Sequence, residues 1–135
     1  MKITYLLLTV MVGVSANVSL AETNALDELL NEYSAQAAKA PDAQAGQHLW
    51  FKSFSGKGEF ARRSCTSCHT ENLKQSGRHV KTNKRIEPMA PSVNPKRLIK
   101  TREIKKWLKR NCKWTLGREC TATEKANLLA FLKQQ

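Results

Sequence analysis

The sequence predicts a small all-α fold, on three observations. Apolar residues recur at helical spacing in four separate segments, no stretch alternates convincingly as a strand would, and a lone Cys65-Thr66-Ser67-Cys68-His69 pentad lies between the second and third segments. Asn24 is suited to cap a first helix, with Asp27 three residues on in the dipole-favoured first turn. Leu26, Leu29, Leu30, Tyr33 and Ala37 follow at helical spacing until Ala40-Pro41 breaks the run. Asp42 to Phe54 reads as a second helix in which Gly46 and Trp50 share a face, the glycine permitting a close helix crossing. Ser55-Gly56-Lys57-Gly58 is a loop leading into the pentad, and Glu71 to Asn94 is polar, with prolines at Pro88 and Pro91. Thr101 is expected to cap a third helix reaching to about Asn111, and Thr121 with Glu124 has capping-box spacing for a terminal helix ending near Lys133. Trp50 should meet Leu129 or Leu132 where the terminal helices cross, and Trp50, Trp107 and Phe131 read as packing aromatics.

The pentad has the spacing of c-type haem attachment. Cys65 and Cys68 can each form a thioether with a porphyrin vinyl group, and the adjoining His69 is placed to bind the iron as proximal ligand. No second cysteine pair of this spacing exists to complete a zinc site. The motif occurs once, so one covalently attached haem c is expected. The fold class then sharpens to a small cytochrome c fold, with short helices wrapped around that haem and an extra N-terminal helix; residues 71–94 are expected to wrap the cofactor.

Lys2 precedes an apolar run from Ile3 to Val14, and Ser19-Leu20-Ala21 offers small residues at the cleavage positions. Residues 1–21 are therefore expected to be a signal peptide, with cleavage after Ala16 as the alternative, and 22–135 a monohaem cytochrome c domain. Ser15 and Asn17 interrupt the apolar run well short of the ~20 residues a spanning helix needs. The mature chain is thus not expected to span a membrane, and a bacterial periplasm, oxidising enough for covalent use of four cysteines, fits best. A domain of this size makes only a modest apolar core, which a buried porphyrin would complete.

The formal charge of +12 is unevenly spread. Residues 22–60 hold three basic and six acidic side chains, whereas 61–135 hold nineteen basic and five acidic. A basic haem-bearing half would steer an acidic redox partner, with association that weakens as salt rises. Nucleic acid is not expected as a partner in an exported protein.

What faces the iron opposite His69 decides its potential and access. Four residues are candidates: Met89, His79, His48 and Asn111. Met89 is the choice by analogy with methionine-ligated electron carriers, although it precedes the third helix instead of following it. His48 on the second helix and His79 in the basic run Arg78-His79-Val80-Lys81 read as solvated. On the third helix Ile104, Trp107, Leu108 and Asn111 fall at i, i+3, i+4 and i+7, so a lone carboxamide ends an apolar stripe. Such an amide needs either a hydrogen bond or a metal. Cys112 follows it, and Cys120 closes a short loop whose spacing fits neither a second haem motif nor a zinc pair. A Cys112–Cys120 disulfide is therefore expected, as a staple and as support for a group beside the haem.

At these residues the chain resembles the monohaem cytochromes c related to the sphaeroides haem protein (SHP), high-spin c-type cytochromes. The resemblance covers nearly the whole mature chain, and rests on Cys65-Thr66-Ser67-Cys68-His69, on Glu87-Pro88-Met89-Ala90-Pro91-Ser92 and on Trp107-Leu108-Lys109-Arg110-Asn111-Cys112 continuing to Gly117-Arg118-Glu119-Cys120-Thr121. It implies that Asn111, just before the first cysteine of a disulfide loop, is the distal ligand; Met89 lies outside that ligand set and stands as the alternative. It further implies electron delivery by a dihaem cytochrome c and, upstream, a membrane cytochrome b.

A carboxamide oxygen is a hard, weak donor that suits ferric better than ferrous iron. Reduction should then release Asn111 and open the haem to O2, NO or CO. The other readings are a low-spin electron shuttle ligated by Met89 and a small oxygen or peroxide reductase. An electron-transfer and ligand-binding role is expected ahead of a true enzyme, since no acid–base residue stands out, and Glu87 and Arg118 read as surface charges.

Overall fold

A computed structural model describes residues 24–135; the expected signal peptide lies outside them. Their regular structure runs α1 (Ala25–Ala37), α2 (Ala43–Phe51), β1 (Phe54–Ser55), a 3-10 turn (Gly58–Phe60), β2 (Arg62–Arg63), α3 (Thr66–His69), β3 (Gly77–Arg78), β4 (Arg85–Ile86), α4 (Thr101–Leu116) and α5 (Ala122–Lys133). The strands are two residues each, paired antiparallel as β1–β2 and β3–β4, so the all-α expectation holds. Among the described residues no helix is long and apolar enough to cross a membrane.

The Asn24 side chain accepts the Asp27 N–H at 2.9 Å and starts α1, which stops where Ala38 turns left-handed at φ 49°. Leu26, Leu29, Leu30 and Tyr33 then lie on one face and pack with Ile104 of α4 and Ala126 and Leu129 of α5. The Asp42 side chain caps α2 at the Ala45 N–H, while its own backbone N–H donates to Asn127 Oδ1 of α5 at 2.8 Å. One turn on, Gly46 lies so close to α5 that a Cβ there would stand 2.0 Å from the Asn127 carbonyl oxygen. The expected close crossing is thus real, and glycine is what allows it. Trp50, on the same face, is buried with Leu73, Leu128, Phe131 and Leu132 in a second apolar cluster. Of the two leucines expected to meet it, Leu132 shares its cluster and Leu129 belongs to the other.

Four local expectations are corrected by the structure. The second helix ends at Phe51, because Lys52 turns extended and Phe54 pairs with Arg63. Thr101 does not cap α4: its hydroxyl donates to Glu28 Oε2 of α1 at 2.9 Å, and Lys100 holds the cap position without a side-chain bond. The same helix runs past Asn111 to Leu116, where Gly117 closes it at φ 77°. Trp107 is not packed inside but 46% exposed, with Lys106 and Arg110 against its ring. The capping box of α5 forms as expected, with Glu124 N–H donating to Thr121 Oγ1 and Thr121 N–H to Glu124 Oε2. Arg118 grips the same carboxylate with two bonds of 2.7 Å, which hold it below the usual carboxylate range.

Gly46→Ala is expected to force α2 off α5 and lower stability by about 1–3 kcal/mol, the usual cost of overpacking, as read in urea or thermal unfolding of the haem-loaded protein.

Candidate haem site

The haem motif occupies a single helical turn. Ser64 and Ser67 set it up reciprocally: the Ser67 N–H donates to Ser64 Oγ at 3.2 Å and the Ser64 N–H to Ser67 Oγ at 3.0 Å. With the turn formed, Cys65, Cys68 and His69 fall at i, i+3 and i+4 and share a face. Immediately afterwards Thr70, at φ 63°, turns the chain sharply away. The β3–β4 hairpin then folds back onto the motif, and a Cβ on Gly77 would lie 1.9 Å from the Cys68 carbonyl oxygen. A glycine is needed at this second close approach as well.

The His69 ring stacks at a tilt on Trp50, with centroids 5.4 Å apart. His69 Nδ1 and Trp50 Nε1 are both buried without a hydrogen-bond partner among the described residues. Burial and, to a lesser extent, the Arg97 guanidinium hold the His69 imidazole down to about 4, so it is neutral near pH 7, the form that binds metal. Burial and the neighbouring Cys68 push the Cys65 thiol up to about 12. Both thiols are half-buried and lie outside any disulfide. A neutral imidazole and two thiols on one face, beside sealed nitrogens that lack partners, fit a covalently tethered haem.

The other candidate ligands are placed as follows. Met89 is half-buried and, with Cys65, Leu108 and Leu116, packs against the cluster that contains Cys112 and Cys120. Its bend is firmly held: Met89 and Ala90 N–H both donate to the Leu73 carbonyl at 3.0 Å, and Arg97 donates to the Glu87 and Pro88 carbonyls. Asn111 is exposed on α4, and its amide makes no hydrogen bond to another described residue. Cys112 is joined to Cys120, with Cα atoms 5.5 Å apart, and both are buried. His48 is exposed on α2, while His79 is exposed and its Nδ1 accepts the N–H groups of Lys81 and Thr82 in the hairpin turn. Glu87 and Arg118 are engaged in surface ion pairs with Arg85 and Glu124.

Two residues matter here that sequence reasoning did not single out. Arg63, two positions before Cys65, donates to the Trp114 carbonyl at 2.8 Å and lies over the Trp114 indole, with Phe60 edge-on to the same ring. It ties the haem turn to the last turns of α4. Arg97 clamps the Met89 bend beside His69. In the sequence both are members of a basic run, with nothing local to distinguish them.

Residues 36–132 match a family described as a domain of unknown function, DUF1924. Over 123 residues the chain is 38% identical to the cytochrome c-type protein SHP of Cereibacter sphaeroides, covering 91% of this chain and 94% of that one. The chain belongs to the SHP-type cytochromes c. The structure of oxidised SHP, described as an oxygen binding cytochrome c, matches with a TM-score of 0.75 and 39% identity over 82% of this chain and 96% of that chain. Cytochrome c'' of Methylophilus methylotrophus is 34% identical over 123 residues, 84% of this chain and 83% of its own. Its oxidised crystal structure matches with a TM-score of 0.72 at 30% identity, over 82% and 94% of the two chains. In this SHP-type cytochrome the cofactor is a single covalently attached haem c.

Replacing Cys112 and Cys120 together by serine is expected to lower stability by roughly 2–3 kcal/mol, from the lost loop constraint on the unfolded chain, as measured by denaturant unfolding with the haem in place.

Proposed function

We propose that this SHP-type cytochrome is a periplasmic electron acceptor that, once reduced, frees a weak asparagine ligand and takes up a diatomic molecule, O2, NO or CO, in its place. The observation that carries the reading is the Asn111 amide: it projects, exposed, from a helix cross-linked at the next residue, and makes no hydrogen bond to another described residue. SHP is described as an oxygen binding cytochrome c, and the solution structure of cytochrome c'' was presented for insights into haem-ligand detachment, both in line with a labile ligand.

When bound, the haem would supply a one-electron iron couple. Cys65 and Cys68 would tether it, and neutral His69, stacked on Trp50, would offer a nitrogen to the iron. Asn111 would offer a hard carbonyl oxygen, a donor better suited to ferric than to ferrous iron. Its Nδ2 could donate a hydrogen bond to a small molecule beside it. The cross-link at Cys112 and the Arg63 clamp on Trp114 hold the helix that carries the amide. The surplus of basic residues beyond Phe60 suits an acidic redox partner, such as a dihaem cytochrome c fed by a membrane cytochrome b.

Met89 supports a second reading, a Met-ligated electron shuttle, because its side chain packs against the same cluster as Cys65. Anaerobic reductive titration under CO or NO, comparing the parent with Asn111→Ala and Met89→Leu, separates the two. Asn111→Ala is expected to raise ferric affinity for added azide by about tenfold or more, the equivalent of losing a bond worth about 1.4 kcal/mol, and Met89→Leu to leave it unchanged. Opening of the iron by Met89→Leu alone, with a far-red methionine band in the parent's oxidised spectrum, selects the shuttle.

A further inference from the structure

The basic residues of the haem-bearing half differ in how far carboxylates match them, a difference that the sequence does not show. On α4 three carboxylates serve the four lysines: Lys105 pairs with Glu32 at 2.7 Å, Lys106 with Glu103 at 3.7 Å, and Lys109 and Lys113 share Glu119 at 3.6 and 3.1 Å, while Arg102 and Arg110 pair with no carboxylate among the described residues. The stretch from Asn72 to Lys84 is different. It contains no acidic residue, and its four cations, Lys74, Arg78, Lys81 and Lys84, are exposed and pair with no carboxylate among the described residues. Of the acids that flank it, Glu71 directly precedes the stretch, and Glu87, beyond the hairpin, is taken by Arg85 at 2.9 Å.

This stretch carries the β3–β4 hairpin, and its position is fixed on both sides. Towards the interior, Gly77 rests on the backbone of Cys68 and His69, at the site described above. Towards solvent the turn is braced by its own bonds, His79 N–H to the Lys84 carbonyl, Asn83 N–H to the His79 carbonyl and Arg78 Nη1 to the Asn83 carbonyl. Lys81 lies over the Phe60 ring, which in turn packs on Trp114. The four unmatched cations of this stretch are therefore held on a braced hairpin one backbone layer away from the haem-bearing turn, whereas other unmatched cations, Lys96, Lys100, Arg102 and Arg110 among them, lie elsewhere.

We propose that the β3–β4 hairpin is the surface on which an acidic redox protein docks to exchange an electron with the haem. The inference rests on the electron-accepting reading above and gives that partner a place and a chemistry. Charge of one sign gathered beside a redox centre raises encounter rates with an oppositely charged reactant and orients it, an effect that fades as salt rises. Cations already paired on α4 contribute much less to such a field.

The test uses the reduced, haem-loaded protein under anaerobic conditions, with stopped-flow oxidation by two probes of opposite charge. Hexacyanoferrate(III) is the anionic probe and tris(phenanthroline)cobalt(III) the cationic one; each takes one electron from the ferrous haem. The variant K74Q/R78Q/K81Q/K84Q is expected to slow the anionic reaction about tenfold at low ionic strength, to converge with the parent at high salt, and to leave the cationic reaction equal or faster. A control, K105Q/K109Q, is expected to match the parent with both probes. All six side chains are exposed, and an unchanged haem spectrum and melting temperature confirm that each variant is folded. A parent rate that falls with salt while the hairpin variant behaves like the parent overturns this docking surface but not the acidic-partner reading. Rates with both probes that ignore salt in every protein overturn both.

Discussion

The rest of the molecule depends on how closely α2 crosses α5. The approach is set by backbone, not by side chains: the Asn127 carbonyl occupies the space that any Cβ at position 46 would need, and the Asn127 side chain accepts the N–H that opens α2. Buried polar groups must find partners, and Asn127 gives its side-chain oxygen one while anchoring a helix start. With α2 seated, Trp50 can only point between Phe131 and His69. The His69 imidazole is thus braced by a side chain of α2, a helix that precedes the haem motif.

The opposite wall is built on α4, and its precision comes from ties at both ends. Near its start Thr101 and Lys105 bond Glu28 and Glu32 of α1, and Ile104 enters the cluster formed by α1 and α5. Near its end Cys112 is cross-linked and Trp114 is held by Arg63. Because the helix continues through Leu116, Asn111 sits inside a regular turn instead of at a fraying end. Such a platform fixes where the amide stands, which the ligand role proposed for it requires.

Charge shows a similar division of labour. A count of basic residues along the chain suggests that α4, the most basic helix, presents the positive face, yet its lysines are largely matched by Glu32, Glu103 and Glu119. Surface ion pairs of this kind stabilise little. They do, however, weaken the outward field of those lysines, whereas the four cations of the hairpin beside the haem turn have no carboxylate partner among the described residues.

The sequence by itself determined whatever is written within a few neighbouring residues. The haem motif, the caps at Asn24 and Thr121, the glycine at the α2 crossing and the cysteine pair around the α4–α5 loop were legible because each depends on spacing along the chain. Only the tertiary structure decided where α2 and α4 end, that Trp107 lies outside, that Trp50 shares its cluster with Leu132 and not with Leu129, and which cations stay unmatched. The deciding partners are far away in sequence: Thr101 abandons its capping role for Glu28, 73 residues earlier, and Asp42 finds Asn127, 85 residues later. A local pattern states what a residue can do, and a distant group competing for the same hydrogen bond, charge or space settles which of those things it does.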